Sequence, residues 1–194
     1  MRDNDLLSGW ALIVDRIVRG ESLHRPIVTV GPTPELLSRY GLSSGGLMMK
    51  AAKVATCRRI HPEVPLDVWH NLPSLLANPL AIFPSARRDG SVVTLLIVKD
   101  RDNNPIVVAI SPDANIGHNV VLSVYGKDAG FGWAATEMEA ARKEGLPVYE
   151  GNGFAASLPQ PPAVETASSS HGLIPSDGTA KPKRDILSIK KNSS

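Results

Sequence analysis

Between Ser91 and Gly126 three runs rich in β-branched residues follow at short intervals: SVVTLLIVKD, NPIVVAISPD and HNVVLSVYG. A fourth, PLAIFPS, precedes them. The breaks, RRDG, DRDNN and the residues Asn115 to Gly117, are built, apart from Ile116, from Asp, Asn, Gly and Arg. Asp and Asn side chains bond nearby backbone, and Gly accepts a left-handed φ, so such clusters are turns. Runs separated this closely read as an antiparallel meander, with SVVTLLIVKD and NPIVVAISPD as its clearest hairpin.

Helical patterns flank the meander. In LLSGWALIVDRIVRG the apolar residues Leu6, Leu7, Trp10, Ile13, Val14 and Ile17 recur at helical spacing, with Asp3 or Asn4 as the cap and Gly20 as the stop. IVTVG is a short strand. PTPELLSRYG predicts a helix capped by Thr33, with Pro34 in its first turn and Gly41 after its end. A third helix is expected from about Gly46 to Arg59, and a pair of helical turns from Asp67 to Leu76, interrupted at Pro73. After the meander come a helix over Thr136 to Lys143, closed by Gly145, and a strand in LPVYEG. Helices first and strands afterwards indicate an α+β fold, with N-terminal helices packed on a sheet of four to five antiparallel strands.

From about Leu158 the text turns to LPQPPAVETASSSHGLIPSDGTAKPK, which is too poor in apolar residues to offset its ordering entropy. The expected organisation is an α+β domain over 1–158 and a disordered Pro/Ser-rich segment over 159–194, with RDILSIKKNSS offering a closing strand at 185–190. Lys181, Lys183, Arg184, Lys190 and Lys191 stand there against Glu165, Asp177 and Asp185, so the tail carries the whole net charge of +2 and the body sums to zero.

Several classes of function are set aside by what is missing. No apolar stretch is long enough to span a bilayer, and the N-terminus does not read as a secretory signal. The single cysteine, Cys57, supports neither a disulfide framework nor a cysteine-based zinc site. The histidines His24, His61, His70, His118 and His171 show no metal-ligand spacing, and no GxGxxG, GxxxxGK[ST] or GxSxG occurs. No cofactor is expected.

Two segments carry candidate chemistry. In KAAKVATCRRIH, Lys53, Arg58 and Arg59 lie on or beside a helix leading to His61. Cations hold a phosphate, and a neutral imidazole takes a proton. A solvated basic helix face ending in a turn histidine would read the same way. In HNVVLSVYGKD, strand alternation puts Asn119, Val121, Ser123 and Tyr125 on one face, with Lys127 just beyond, and Val120, Leu122 and Val124 on the core face. The polar row is either a site floor or the wet side of an ordinary sheet. Cys57, Trp10 and Trp69 read as packing residues.

The series VGPTPELLSRYGL, KVATCRRIHPEVPLDVWHNLPSLLANPLAIFPS, GSVVTLLIVKDRDNNPIVVAI and NVVLSVYGKD resembles the C-terminal domain of phage Mu F-like head proteins, which also occurs in bacterial toxins. The resemblance covers residues 24–150 and implies a barnase–EndoU–colicin–RelE-like nuclease fold. It also implies a metal-independent ribonuclease acting in a cytoplasm on RNA such as tRNA. The roles it suggests are His61 as acid or base, and Lys53, Lys127 and Arg58 on the phosphate. Ser123 and Tyr125 would hydrogen-bond the phosphate or orient the base, and His118 would be a second acid or base. An immunity protein is an implied partner. A different reading of the same chain is a non-catalytic, phage-derived binding module, which the neutral body favours because nucleic-acid binders usually carry a basic excess.

Overall fold

The computed structural model describes residues 3–158, with side chains from Gly9 onward. The tail 159–194, and the closing strand expected at 185–190, lie outside the described residues. The elements run α1 (Asp3–Val18), β1 (Ile27–Pro32), α2 (Glu35–Ser38), β2 (Gly46–Lys50), α3 (Ala51–Ile60), α4 (Leu66–His70), α5 (Leu72–Ala77), β3 (Ala81–Pro84), β4 (Val92–Lys99), β5 (Pro105–Asp113), β6 (His118–Gly126), α6 (Gly130–Lys143), β7 (Tyr149–Glu150) and α7 (Phe154–Ser157). The class is α+β, as expected. The sheet is larger than expected: seven strands in the order β1-β2-β6-β5-β4-β3-β7, antiparallel except where β2 runs parallel to β6.

One of the added strands comes from a segment expected to be helical. GLMMK, expected as the start of the third helix, forms β2 instead. Its period is two: Leu47 and Met49 are fully buried, while Met48 and Lys50 turn to the other face. It pairs with β1 on one side and β6 on the other, so tertiary pairing overrides helix propensity here. The helix begins only at Ala51. In PTPELLSRYG, Thr33 makes no cap, because its hydroxyl oxygen accepts a hydrogen bond from Asn119. Pro34 stands at the cap position instead, and Gly41 ends the segment at φ 96°. α6 starts six residues before the expected Thr136, with Phe131, Ala134, Met138 and Ala141 buried at helical spacing.

Helices cover both faces of the sheet. On one face Trp10 and Val14 of α1, Val54 and Cys57 of α3, and Val68, Trp69, Leu72 and Leu76 of α4 and α5 pack on Val28, Val30, Leu47, Met49, Val108, Ile110, Val121 and Val124. The Trp10 indole N–H donates to the Trp69 carbonyl at 2.6 Å. On the other face α6 and α7 bring Phe131, Ala134, Met138 and Phe154 onto Ala81, Phe83, Val93, Leu95 and Val107. The fully buried residues of this second core end at β5, with Tyr125 of β6 packed at its rim, and beyond it the outer faces of the start of β6, of β2 and of β1 receive no helix among the described residues.

A bulge in β6 sets which residues face that open side. Ala109 pairs with Ser123, but Ile110 pairs with Val121, leaving Leu122 without a partner. The alternation therefore reverses at Leu122. Val124, Val121 and Asn119 point into the first core, and Val120, Ser123 and Tyr125 point to the open face. The uniform alternation expected for this strand holds only for Ser123, Val124 and Tyr125. Asn119 is no part of a polar floor. It is fully buried, donates to Thr33 and to the Ser43 carbonyl, and accepts from the Ser43 backbone N–H, tying the β1–β2 connection to β6.

Candidate functional site

α3 ends at His61 because Pro62 cannot continue the helix and disfavours helical backbone in the residue before it. His61 leaves helical geometry at φ −125°, while its N–H still bonds the Cys57 carbonyl at 2.8 Å. The loop that follows is fastened to the β4–β5 turn, where the Arg101 N–H donates to the Glu63 carbonyl at 3.0 Å. That turn is itself built by Asp100, whose Oδ1 accepts from the Asp102 and Asn104 N–H groups, with Asn103 at φ 66°. Gly126, at the end of β6, has no room for a side chain. A Cβ there would overlap Asp100 Oδ2 and stand 3.2 Å from Glu63 Cγ. The glycine lets the histidine loop close onto the strand.

His61 Nδ1 lies 2.9 Å from Glu63 Oε1, and both side chains are mostly buried. An ionised carboxylate only accepts, so this contact places the imidazole proton on Nδ1 and leaves Nε2 free to take or give one. The ring stands 5.5 Å from that of Tyr125, tilted by 35°. Burial pushes the Tyr125 phenol up, against a smaller lowering influence of Arg87, so the hydroxyl stays protonated and can donate.

A cleft of about 530 Å³ opens beside this pair, bounded by the open face of β5 and β6, the β3–β4 turn and α6. His61, Ser123, Tyr125 and Lys127 all line it. Lys127 is held between the end of β6 and the start of α6: its carbonyl accepts from Gly130, and its Nζ sits 4.7 Å from the centre of the Trp133 ring. The Trp133 N–H donates to Glu137 at 3.0 Å.

Arg87 and Arg88 complete the cleft. They belong to RRDG, whose turn chemistry hides any other role, and nothing in the local sequence says that this turn folds over β6. Glu63 is likewise absent from the expected set, although a carboxylate two residues after a histidine is a readable signal. The charged lining is three cations against one carboxylate, Glu137, on a body of zero net charge.

The other expected residues lie elsewhere. His118 sits at the far end of β6, opposite Asp113, and its Nδ1 accepts from the Gly46 N–H at 3.0 Å, where β2 meets β6. Lys53 stands two helical turns before His61, about 12 Å along α3, and does not line the cleft. Arg58 does not line it either; burial, and then the charge of Arg101, lower its pKa. Among the described residues no three His, Cys, Asp or Glu side chains are grouped to hold a metal, and no helix is long and apolar enough to cross a membrane.

Fold and cleft define a three-layer α+β domain with one half-open sheet face carrying a cationic, histidine-bearing site. The chain belongs to the phage MuF C-terminal domain family, whose model matches residues 53–151. The match starts inside α3 and ends just after β7, so it spans every cleft residue and leaves out α1, β1, α2 and β2. No curated protein and no solved structure matches the chain.

Proposed function

We propose that this domain is a toxin-like, metal-independent RNA endonuclease acting in a cytoplasm. The observation that carries the reading is that His61, paired with Glu63, lines one cleft together with Arg87, Arg88 and Lys127. In the proposed reaction His61 Nε2 takes the proton of an RNA 2′-hydroxyl. The 2′-oxygen bonds to the adjacent phosphorus as the bond from phosphorus to the 5′-oxygen breaks. A proton returned to the 5′-oxygen gives a 2′,3′-cyclic phosphate and a free 5′-hydroxyl. Lys127, Arg87 and Arg88 meet the charge that grows on the phosphoryl oxygens, and the protonated Tyr125 hydroxyl donates to them. Ser123 sits beside them on the same face.

The test is incubation of the purified chain with RNA in EDTA, with product ends identified. Wild type should release cyclic-phosphate ends, and His61→Ala should cut about 10²- to 10⁴-fold more slowly. Intact RNA after incubation with wild type would sink the nuclease reading. The body's zero net charge favours one other reading, a non-catalytic module held by an immunity protein. Co-purification of such a partner, unchanged by His61→Ala and Lys127→Ala, would support that alternative.

A further inference from the structure

A second cleft, of about 430 Å³, lies further along the same open face, under the β5–β6 turn. Its walls include Ile27 of β1, Lys50 of β2, and Val120 and Leu122 of β6. Two of its residues, Arg88 and Leu122, also line the His61 cleft. The two are therefore one track along β6, running about 16 Å from Tyr125 to Val120 at the rise of a strand. The register explains why the track is open. Ile27 pairs with Lys50, and Met48 with Val120, and all of these stand on the face that α6 leaves uncovered.

The chemistry along the track is uneven. Cations stand at both ends and in the middle: Lys127 and Arg87 beside His61, Arg88 at the junction, and Lys50 at the far end. Between them the floor is half-buried and apolar, made by Val120, Leu122 and Ile27. Asp113 is the one carboxylate of the second cleft. Cations distributed along an apolar floor suit a polyanion whose bases lie flat against the protein. A duplex keeps its base faces stacked inside and presents phosphates, hydroxyls and base edges, whereas an unpaired strand presents base faces to such a surface.

We infer that this second cleft is a binding subsite for unpaired RNA flanking the cut, with Lys50 and Arg88 on its phosphates and Ile27, Val120 and Leu122 under a base. The inference rests on the reading of the His61 cleft as an RNA site, and it makes the substrate a single-stranded segment several nucleotides long.

The test uses the full chain and fluorescent 2′-O-methyl RNA of three, six and nine nucleotides, which cannot be cut because the nucleophile is blocked. A duplex of the nine-nucleotide strand is the comparison. Anisotropy should show the six-nucleotide strand binding at least tenfold tighter than the three-nucleotide strand, and tighter than the duplex. Lys50→Glu should remove that gain, leave the three-nucleotide affinity unchanged and lower the salt slope by about 0.7. Lys50 is exposed at the N-cap of α3, where a glutamate suits the helix end, so the variant should fold. Equal affinity for three and six nucleotides, no effect of Lys50→Glu, preference for the duplex, or no binding of any strand would each overturn the subsite. Length-dependent binding without cleavage of unblocked RNA would leave the subsite standing and sink the nuclease. Cleavage that is indifferent to length and to Lys50 would do the reverse.

Discussion

The two faces of the sheet are built from the same strands and meet different fates. The first is closed along its length by α1, α3, α4 and α5, and the strand residues beneath are almost all aliphatic. The second is closed by α6 and α7 only over β3, β4 and the start of β5. Where helix cover stops, the outward residues become Ser123, Tyr125 and Lys127, flanked by His61 from the other layer. The contrast shows where this domain can hold chemistry. A closed apolar face cannot solvate a charge, and an open face with no wall cannot orient one. The edge of α6 supplies a wall, with Trp133 and Glu137, beside a floor that remains wet.

Substitutions on the two faces should therefore fail in different assays. The largest loss of stability should come from the closed face. Trp10→Ala removes a fully buried ring and the hydrogen bond to Trp69, and should destabilise by about 3–5 kcal/mol in urea melts. An open-face change, Ser123→Ala, should stay within about 0.5 kcal/mol while slowing RNA cleavage; a loss comparable to Trp10→Ala would erase the distinction.

Asn119→Ala should come next, at about 1–3 kcal/mol, because it removes a fully buried amide together with its hydrogen bonds to Thr33 and Ser43. Gly126→Ala should fall in the same range, since its new methyl group meets Asp100 and the Glu63 side chain. It should also disturb cleavage by moving the histidine loop, which Asn119→Ala should not.

Smaller still is a pH effect on the half-buried Tyr125. Its phenol is raised above the ordinary value near 10, so the folded state holds this proton more tightly than the unfolded chain does. That contribution is complete below the unfolded pKa and is lost as pH rises through the folded one. Wild type should therefore lose stability at alkaline pH more steeply than Tyr125→Phe in parallel melts. Leu12→Ser, at a side chain 63% exposed on the outer side of α1, should change nothing beyond about 0.5 kcal/mol.

Much of this arrangement was legible in the chain. The β4–β5 hairpin, β6, α1 and the α+β class follow from period and turn residues, which act locally. Of the six candidate residues the fold brings four, His61, Ser123, Tyr125 and Lys127, to one cleft, because His61 ends a helix and the other three share a strand and its exit. Lys53 and His118 were plausible by residue type alone, and the fold spends the His118 ring on a backbone bond at Gly46. The placement of Arg87 and Arg88 over β6 is not legible in the chain, because a turn motif states its own shape and not what it bends over.

The sequence by itself determined the strands that alternate cleanly, the helices with one apolar stripe, the turns of Asp, Asn and Gly, and the neutral balance of the body. Only the tertiary structure decided that GLMMK is a strand, since its pairing with β1 and β6 is non-local. The bulge at Leu122 is also a property of the β5–β6 pair and not of either strand alone. That one unpaired residue turns Asn119 and Val121 inward while Ser123 and Tyr125 stay outward, so the floor of the site depends on a register that no period along the chain records.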